Sequence, residues 1–307
     1  MAKDFHQLRW DATLEDDCRQ IIRLAVREDL DRWHDWTTLA LVDADQQGEA
    51  LLVAREPGVI AGLLAAQTTL DEMQGNVRWK NLVHDGDQVD AGEMIAHISG
   101  LARDMLTCER PLLNLIGHLS GIATLTNQFI RQVKDTNVPI YDTRKTIPGW
   151  RRLEKYAVRC GGGHNHRTGL YDAVLIKDNH LAIALSQNLD PEKAVRQTRD
   201  FLAKAGSSLP TNDLIVEIEV DSLQQLTKAL SAHPDIVLLD NMSCNLLREA
   251  VQLRNRLAPQ VQLEASGGVE LQTVAQIAAT GIDRISTGQL THSARALDIG
   301  LDWQATP

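Results

Sequence analysis

Six side chains of this 307-residue sequence could clamp anions: Arg110, Arg144, Lys145, His166, Arg167 and Lys177. A guanidinium presents a planar fork that holds a carboxylate or phosphate through two parallel hydrogen bonds, so several arginines imply more than one anionic group. Residues 142–177 carry eight Lys or Arg against three Asp or Glu, a local +5 within a net charge of -10 that leaves -15 on the rest. Structural ion pairing is the plainer reading of any one of these cations, above all of Arg110. Arg110 precedes Pro111, and proline is favoured at the first helical position. The sequence therefore predicts a helix starting there, with free N–H groups that attract anions.

A second anion-binding device is written in backbone. In Glu264-Ala265-Ser266-Gly267-Gly268 and Ser286-Thr287-Gly288, small residues follow apolar runs, and their N–H groups can point at a phosphate. An ordinary tight turn would explain either segment alone. Glu219 and Asp240 end two further runs and bring carboxylates into this cationic setting. They can accept bonds from sugar hydroxyls, bind Mg2+ through water or stabilise developing positive charge. Glu217 shares the strand parity of Glu219, which is preferred because it lies nearer the strand end. A glycoside hydrolase would use such a carboxylate pair without needing so many cations. Gly161-Gly162-Gly163-His164-Asn165-His166-Arg167 reads as a loop carrying His166 and Arg167; His164 and His166 lack the further Cys or His at ligand spacing that a zinc site needs.

The elements that must position these groups follow from the apolar pattern. Runs at 139–141, 173–176, 214–218, 236–239, 261–263 and 284–285 alternate with helical stretches, the pattern of parallel βα units. Each run leads into polar or small residues: Asp142, Arg144 and Lys145; Lys177 and Asp178; Glu219; Asp240; Ser266 and Gly267; Thr287 and Gly288. One solvated loop start is ordinary, but six in succession argue for an α/β barrel, whose strand C-termini share one face and build the site. An open doubly wound sheet would gather such groups at one switch point. Upstream, Leu112, Ile116, Leu119, Ala123, Thr126, Ile130 and Val133 mark the buried face of a long helix. Gly117, Ser120 and Gly121 strip bulk from it, so that another backbone can approach. The first hundred residues mix a short amphipathic helix at 18–27 with strands at 48–55 and 94–98. Residues 85–93 resemble a lipoyl or biotinyl carrier hairpin but lack its modifiable lysine.

A composition of 43% hydrophobic and 23% charged residues fits a globular protein with one large core and a smaller one. The acidic balance argues against nucleic acid and anionic membranes as partners. No apolar run reaches the roughly 18 to 20 residues that span a bilayer. Cys18, Cys108, Cys160 and Cys244 lie far apart, and Met1-Ala2-Lys3-Asp4 opens no apolar leader, so reduced thiols and a cytoplasmic location are expected.

Over residues 109–298 the motifs together resemble the quinolinate phosphoribosyltransferases, also called nicotinate-nucleotide pyrophosphorylases (carboxylating). The resemblance is carried by Glu109-Arg110-Pro111-Leu112-Leu113-Asn114, Asp142-Thr143-Arg144-Lys145-Thr146, Gly161 to Gly163 with Asn165-His166-Arg167, Ile176-Lys177-Asp178-Asn179-His180, Leu239-Asp240-Asn241 and the two glycine segments. It implies an α/β fold, with an amino-terminal α/β sandwich domain at 1–115, joined by 289–307, and an open α/β barrel at 116–288. It also implies a homodimer with shared active sites, or a higher oligomer of it, in which Arg110 enters the neighbouring site. The implied reaction, a step of de novo NAD biosynthesis, joins quinolinate and phosphoribosyl pyrophosphate with release of pyrophosphate and CO2.

Carried over by motif, Arg110, Arg144, His166 and Arg167 hold the two quinolinate carboxylates, and Lys145 and Lys177 lie near the pyrophosphate. Glu219 and Asp240 contact the ribose and the Mg2+ that arrives with it. Ser266, Gly267, Gly268 and Gly288 hold the 5-phosphate, and His292 follows the last glycine turn at the same end. The role of His164 stays open, since some relatives carry a small residue there. Three rivals remain: a Schiff base on Lys177, as in aldolases of phosphorylated sugars; an oxyanion sensor, which has no use for the carboxylates; and a transferase acting on nicotinate, against which the number of arginines favours a dicarboxylate.

Overall fold

Asp11 caps the first helix by accepting the Leu14 N–H at 2.8 Å, and α1 (Ala12–Leu30) then buries Leu14, Cys18, Ile21 and Ile22 along one face. The computed structural model describes residues 3–183, 189–205 and 213–304. The chain divides into two compact units, one of residues 8–127, 145–163 and 290–307, the other of residues 1–7, 128–144 and 164–289.

After α1 come α2 (Trp36–Leu41), β1 (Gln47–Ala54), β2 (Gly58–Val59), α3 (Leu63–Glu72), β3 (Val77–Asn81), β4 (Gln88–Val89), β5 (Met94–Leu101) and α4 (Ala102–Val133). There follow β6 (Ile140–Tyr141), α5 (Arg151–Cys160), β7 (Ala173–Ile176), α6 (Asp178–Ile183) and α7 (Pro191–Ala205). Then come β8 (Ile215–Val220), α8 (Leu223–Ser231), β9 (Ile236–Asp240), α9 (Cys244–Leu257) and β10 (Gln262–Ser266). The chain ends with α10 (Val274–Ala278), β11 (Arg284–Ser286), α11 (Gln289–His292) and β12 (Ile299–Trp303).

In the first unit an antiparallel sheet runs β12-β1-β5-β3. Leu52, Ala54, Ile95 and Ala96 of the sheet share a core with Leu63, Ala66 and Leu70 of α3 and with Cys108, Leu112 and Ile116 of α4. The carrier-like segment contributes β4, which pairs with β2. The helix expected to start at Arg110-Pro111 starts earlier, at Ala102, so Pro111 lies inside it and Arg110 is far from its N-terminus. An interior proline costs about 3 kcal/mol. Burial offsets that cost, because Ala102, Met105 and Cys108 continue the apolar face of Leu112, Leu115 and Ile116 through the proline.

The close approach expected on this helix is present. A Cβ on Gly117 would lie 3.1 Å from the Leu297 carbonyl oxygen, and one on Gly121 only 2.1 Å from that of Arg295. Between them, Ser120 Oγ accepts the Ala61 N–H at 3.0 Å.

The second unit is a six-stranded, all-parallel sheet in the order β6-β11-β10-β9-β8-β7. It forms a curled half-barrel, with no pairing of β6 to β7 among the described residues. All six strands expected from the apolar runs are present, and β8, β9 and β10 extend far enough to include Glu219, Asp240 and Ser266. The units divide elsewhere than between residues 115 and 116. Residues 1–7 belong with the parallel sheet, because Phe5 packs with Tyr141, Ala173, Ile215 and Ile236. Residues 145–163 belong with the antiparallel unit, where a Cβ on Gly161 would meet the Ala123 carbonyl oxygen at 2.3 Å.

Gly121→Ala should therefore lower the denaturant midpoint, at a cost of about 1–3 kcal/mol for overpacking against backbone that cannot swing aside. An unchanged midpoint would show that the helix and residues 295–297 separate at no cost.

Candidate active site

Because the six strands are parallel, their C-terminal ends open on one edge of the sheet, and side chains there point away from the packed interior. Lys177, just past β7, places Nζ 3.1 Å from Glu219 Oε2 near the end of β8. The lysine side chain is 45% exposed, so this pair adds little stability and stays available for exchange with a ligand. The Lys177 N–H donates to His180 Nδ1 at 2.8 Å, which fixes the turn into α6. The Asp240 carboxylate ends β9 beside the turn that follows β10. In that turn Gly267 and Gly268 have φ of 81° and 59°, a region that disfavours side chains, and Ser286 Oγ donates to Ser266 Oγ at 3.1 Å.

Beneath this edge the sheet buries charge. Glu217 and Glu264 each lie two residues before Glu219 and Ser266, and both are fully buried. His166 Nε2 faces Glu217 Oε2 at 3.1 Å and Glu264 Oε1 at 3.5 Å. Its Nδ1 accepts the Arg167 N–H at 2.9 Å, and its ring stacks on Phe5 with centroids 4.1 Å apart. Burial disfavours a charged ring, but the two carboxylates outweigh it and push the His166 pKa up to about 10. Burial also raises Glu217. The bond into Nδ1 favours a neutral ring with the extra proton on Glu217. In either placement the three groups hold one proton more than they would apart. These three are the grouping of donor atoms, all within 4.8 Å of one another, that could hold a metal ion among the described residues, and His164 is not part of it. The His164 ring packs against Tyr141 instead, with centroids 5.3 Å apart.

Two anchors hold the loop that carries His166 and Arg167. Buried Asp142 accepts the His166 N–H at 2.8 Å and Asn165 Nδ2 at 2.7 Å. Arg167 Nη1 donates to the Ala173 carbonyl at 3.1 Å. Burial, and then the nearby Arg144 charge, lower the Arg167 pKa. Glu217 and Asp172 act in the opposite sense on the same guanidinium.

Two family patterns match the sequence, described as quinolinate phosphoribosyl transferase, N-terminal domain, over residues 35–120 and C-terminal domain over residues 122–302. The chain belongs to the quinolinate phosphoribosyltransferase family. It is therefore a pentosyltransferase. A nicotinate-nucleotide pyrophosphorylase (carboxylating) of Mycobacterium leprae is 46% identical over 289 residues, which cover 94% of this chain and 97% of that protein. The solved nicotinate-nucleotide pyrophosphorylase of Francisella tularensis matches with a TM-score of 0.84 at 35% identity, covering 98% of this chain and all of that one. That of Ehrlichia chaffeensis matches with a TM-score of 0.83 at 35% identity, over 97% of this chain and all of that one.

Of the residues carried over from the family, Arg144, His166, Arg167, Lys177, Glu219, Asp240, Ser266, Gly267, Gly268 and Gly288 lie in the parallel-sheet unit. Lys145, His292 and Arg110 belong to the other. There Thr291 Oγ1 donates to the Lys145 carbonyl at 2.6 Å, so the residue before His292 holds the Lys145 loop. Glu154 steadies that loop further by accepting the Ile147 N–H, and pairs with His118 Nε2 at 3.0 Å. Arg110 is exposed on α4. His166, expected to hold a substrate carboxylate, lies below the strand ends with both ring nitrogens engaged by protein groups. Glu264 and Arg284 had no role in the sequence reading. Their signal was parity, since Glu264 lies two residues before Ser266 on β10, as Arg284 does before Ser286 on β11.

The raised His166 pKa sets a pH dependence of known sign. The folded protein binds the proton more tightly than the unfolded chain, so its stabilisation is complete below about pH 6.5, the ordinary histidine value. It is lost as pH rises through about 10. The denaturation midpoint of Glu217→Gln should decline less steeply than wild type between pH 7 and 10. Parallel profiles would remove the pairing as the cause.

Proposed function

We propose that this site transfers the phosphoribosyl group of phosphoribosyl pyrophosphate to the ring nitrogen of quinolinate, giving nicotinate mononucleotide, pyrophosphate and CO2 in NAD biosynthesis. The observation that supports the acceptor's identity is the membership of the family together with the nearness of Arg144 to Arg167, two forked cations of the kind that engage carboxylates. The glycine turn after β10 suits the 5-phosphate, and Glu219 and Asp240 suit the ribose. Their hard oxygen donors also fit Mg2+ carried by the pyrophosphate, where the ion would neutralise leaving-group charge.

In this reading the ring nitrogen attacks C1 of the ribose as the bond from C1 to the pyrophosphate oxygen breaks, and its electron pair leaves with pyrophosphate. Positive charge that develops on the sugar is stabilised by Glu219 and Asp240, while Lys177 neutralises the departing anion. The carboxylate next to the new pyridinium then leaves as CO2. Its bonding pair stays on the ring carbon, which takes a proton. A homodimer in which Arg110 of one chain completes the partner's site accords with its exposure on α4. The free cysteines accord with a cytoplasmic setting, and among the described residues no helix is long and apolar enough to cross a membrane.

The deciding assay supplies phosphoribosyl pyrophosphate and Mg2+ with either quinolinate or nicotinate and measures nucleotide and CO2. Nucleotide and CO2 in equal amounts from quinolinate are expected, whereas product from nicotinate alone would overturn the reading. Arg144→Ala and Lys177→Ala should each reduce kcat/KM by about 10- to 100-fold, the scale of a lost bond to a charged group. Unchanged turnover in both would remove these residues from the site.

A further inference from the structure

The geometry points to Asn241 as a positioning residue for the phosphoribosyl donor, one that orients the Asp240 carboxylate against the Gly267-Gly268 turn. This rests on the proposed reading that the donor's phosphate occupies that turn and its ribose meets Asp240.

Parallel register pairs Asp240 with Ser266, so the residues just past β9 and β10 lie side by side. The Asn241 N–H donates to the Ser266 carbonyl at 2.9 Å, and its backbone is left-handed, with φ of 55°. Asparagine tolerates that conformation better than most side chains. Its amide Nδ2 donates to Asp240 Oδ2 at 2.8 Å. A Cβ built on Gly267 would lie 2.4 Å from Asn241 Oδ1 and 2.7 Å from Asp240 Oδ1, so amide and carboxylate both press on the turn. One Asp240 oxygen is thereby held by the amide while the other faces the glycines. The groups that would meet the ribose and the 5-phosphate of one donor are thus tied together through a single neutral side chain. Aspartate at this position would set a second carboxylate against Asp240, and glycine would keep the backbone but lose the amide.

Steady-state kinetics with phosphoribosyl pyrophosphate and quinolinate, on Asn241→Gly, Asn241→Ala and Asn241→Asp, tests the assignment. The Michaelis constant for the donor should rise about tenfold or more in both Asn241→Gly and Asn241→Ala, further in Asn241→Asp, and that for quinolinate should stay unchanged. In an Asp240→Ala background, Asn241→Gly should cost little more, because the amide acts through the missing carboxylate. A wild-type donor constant in Asn241→Gly would show that only the left-handed backbone matters, and would overturn the proposal. So would equal rises for both substrates, or full additivity with Asp240→Ala. Absence of turnover in the wild type would overturn the functional reading itself, and this inference with it.

Discussion

Charge drawn into the interior of a sheet must be matched there, since an isolated buried carboxylate costs far more than a surface one. The inner face of a parallel sheet is usually lined by Val, Ile and Leu. Here Glu217 and Glu264 occupy it, both fully buried. Their charge is answered by His166, from the loop after residue 163, and by the field of Arg284 from β11, which draws both carboxyls downward. Arg284 in turn is held by Asp4, from the amino-terminal segment, at 3.1 Å, and lies over the Tyr141 ring at 4.4 Å. One electrostatic requirement therefore brings together residues 4, 141, 166, 217, 264 and 284.

The same requirement reaches the surface through His166. Because Nε2 is turned toward the carboxylates, Nδ1 is left to accept the Arg167 N–H, and that bond fixes the backbone from which the Arg167 side chain departs. Asp142 fixes the preceding residues by a separate pair of bonds. The backbone that carries the Arg167 guanidinium is thus set by buried groups, and its Nη1 is anchored directly by the Ala173 carbonyl.

The order and parallel character of the barrel strands were legible because apolar runs and polar strand ends recur together. The position at those ends of the residues proposed for the site, from Lys177 to Gly268, followed from the same rhythm. The start of α4 was not legible. A proline signal at Arg110-Pro111 is local, whereas the burial of Met105 and Cys108 that carries the helix through it is tertiary. Asp4 and Phe5 gave no signal at all, since their partners lie more than a hundred residues away. For Glu217 the parity was visible, but choosing between it and Glu219 needed depth, which an alternating pattern does not carry. The two turned out to have different surroundings, one paired with histidine inside and the other with Lys177 at the edge.

Inside, the cluster of His166, Glu217 and Glu264 holds an extra proton within the field of Arg284. Arg167 sits, buried, near the Arg144 charge, which with burial lowers its pKa while Glu217 and Asp172 act in the opposite sense. That proximity suits a ligand with more than one anionic group under the proposed function. It also bears on the chemistry proposed for the acceptor, which must lose one of its two carboxylates. Groups that held that carboxylate equally well before and during bond breaking would add affinity without rate. Under the proposed reading, cations on a loop held by hydrogen bonds can hold the acceptor as a whole, and the developing pyridinium, not a tighter grip on the leaving group, can then draw the electrons.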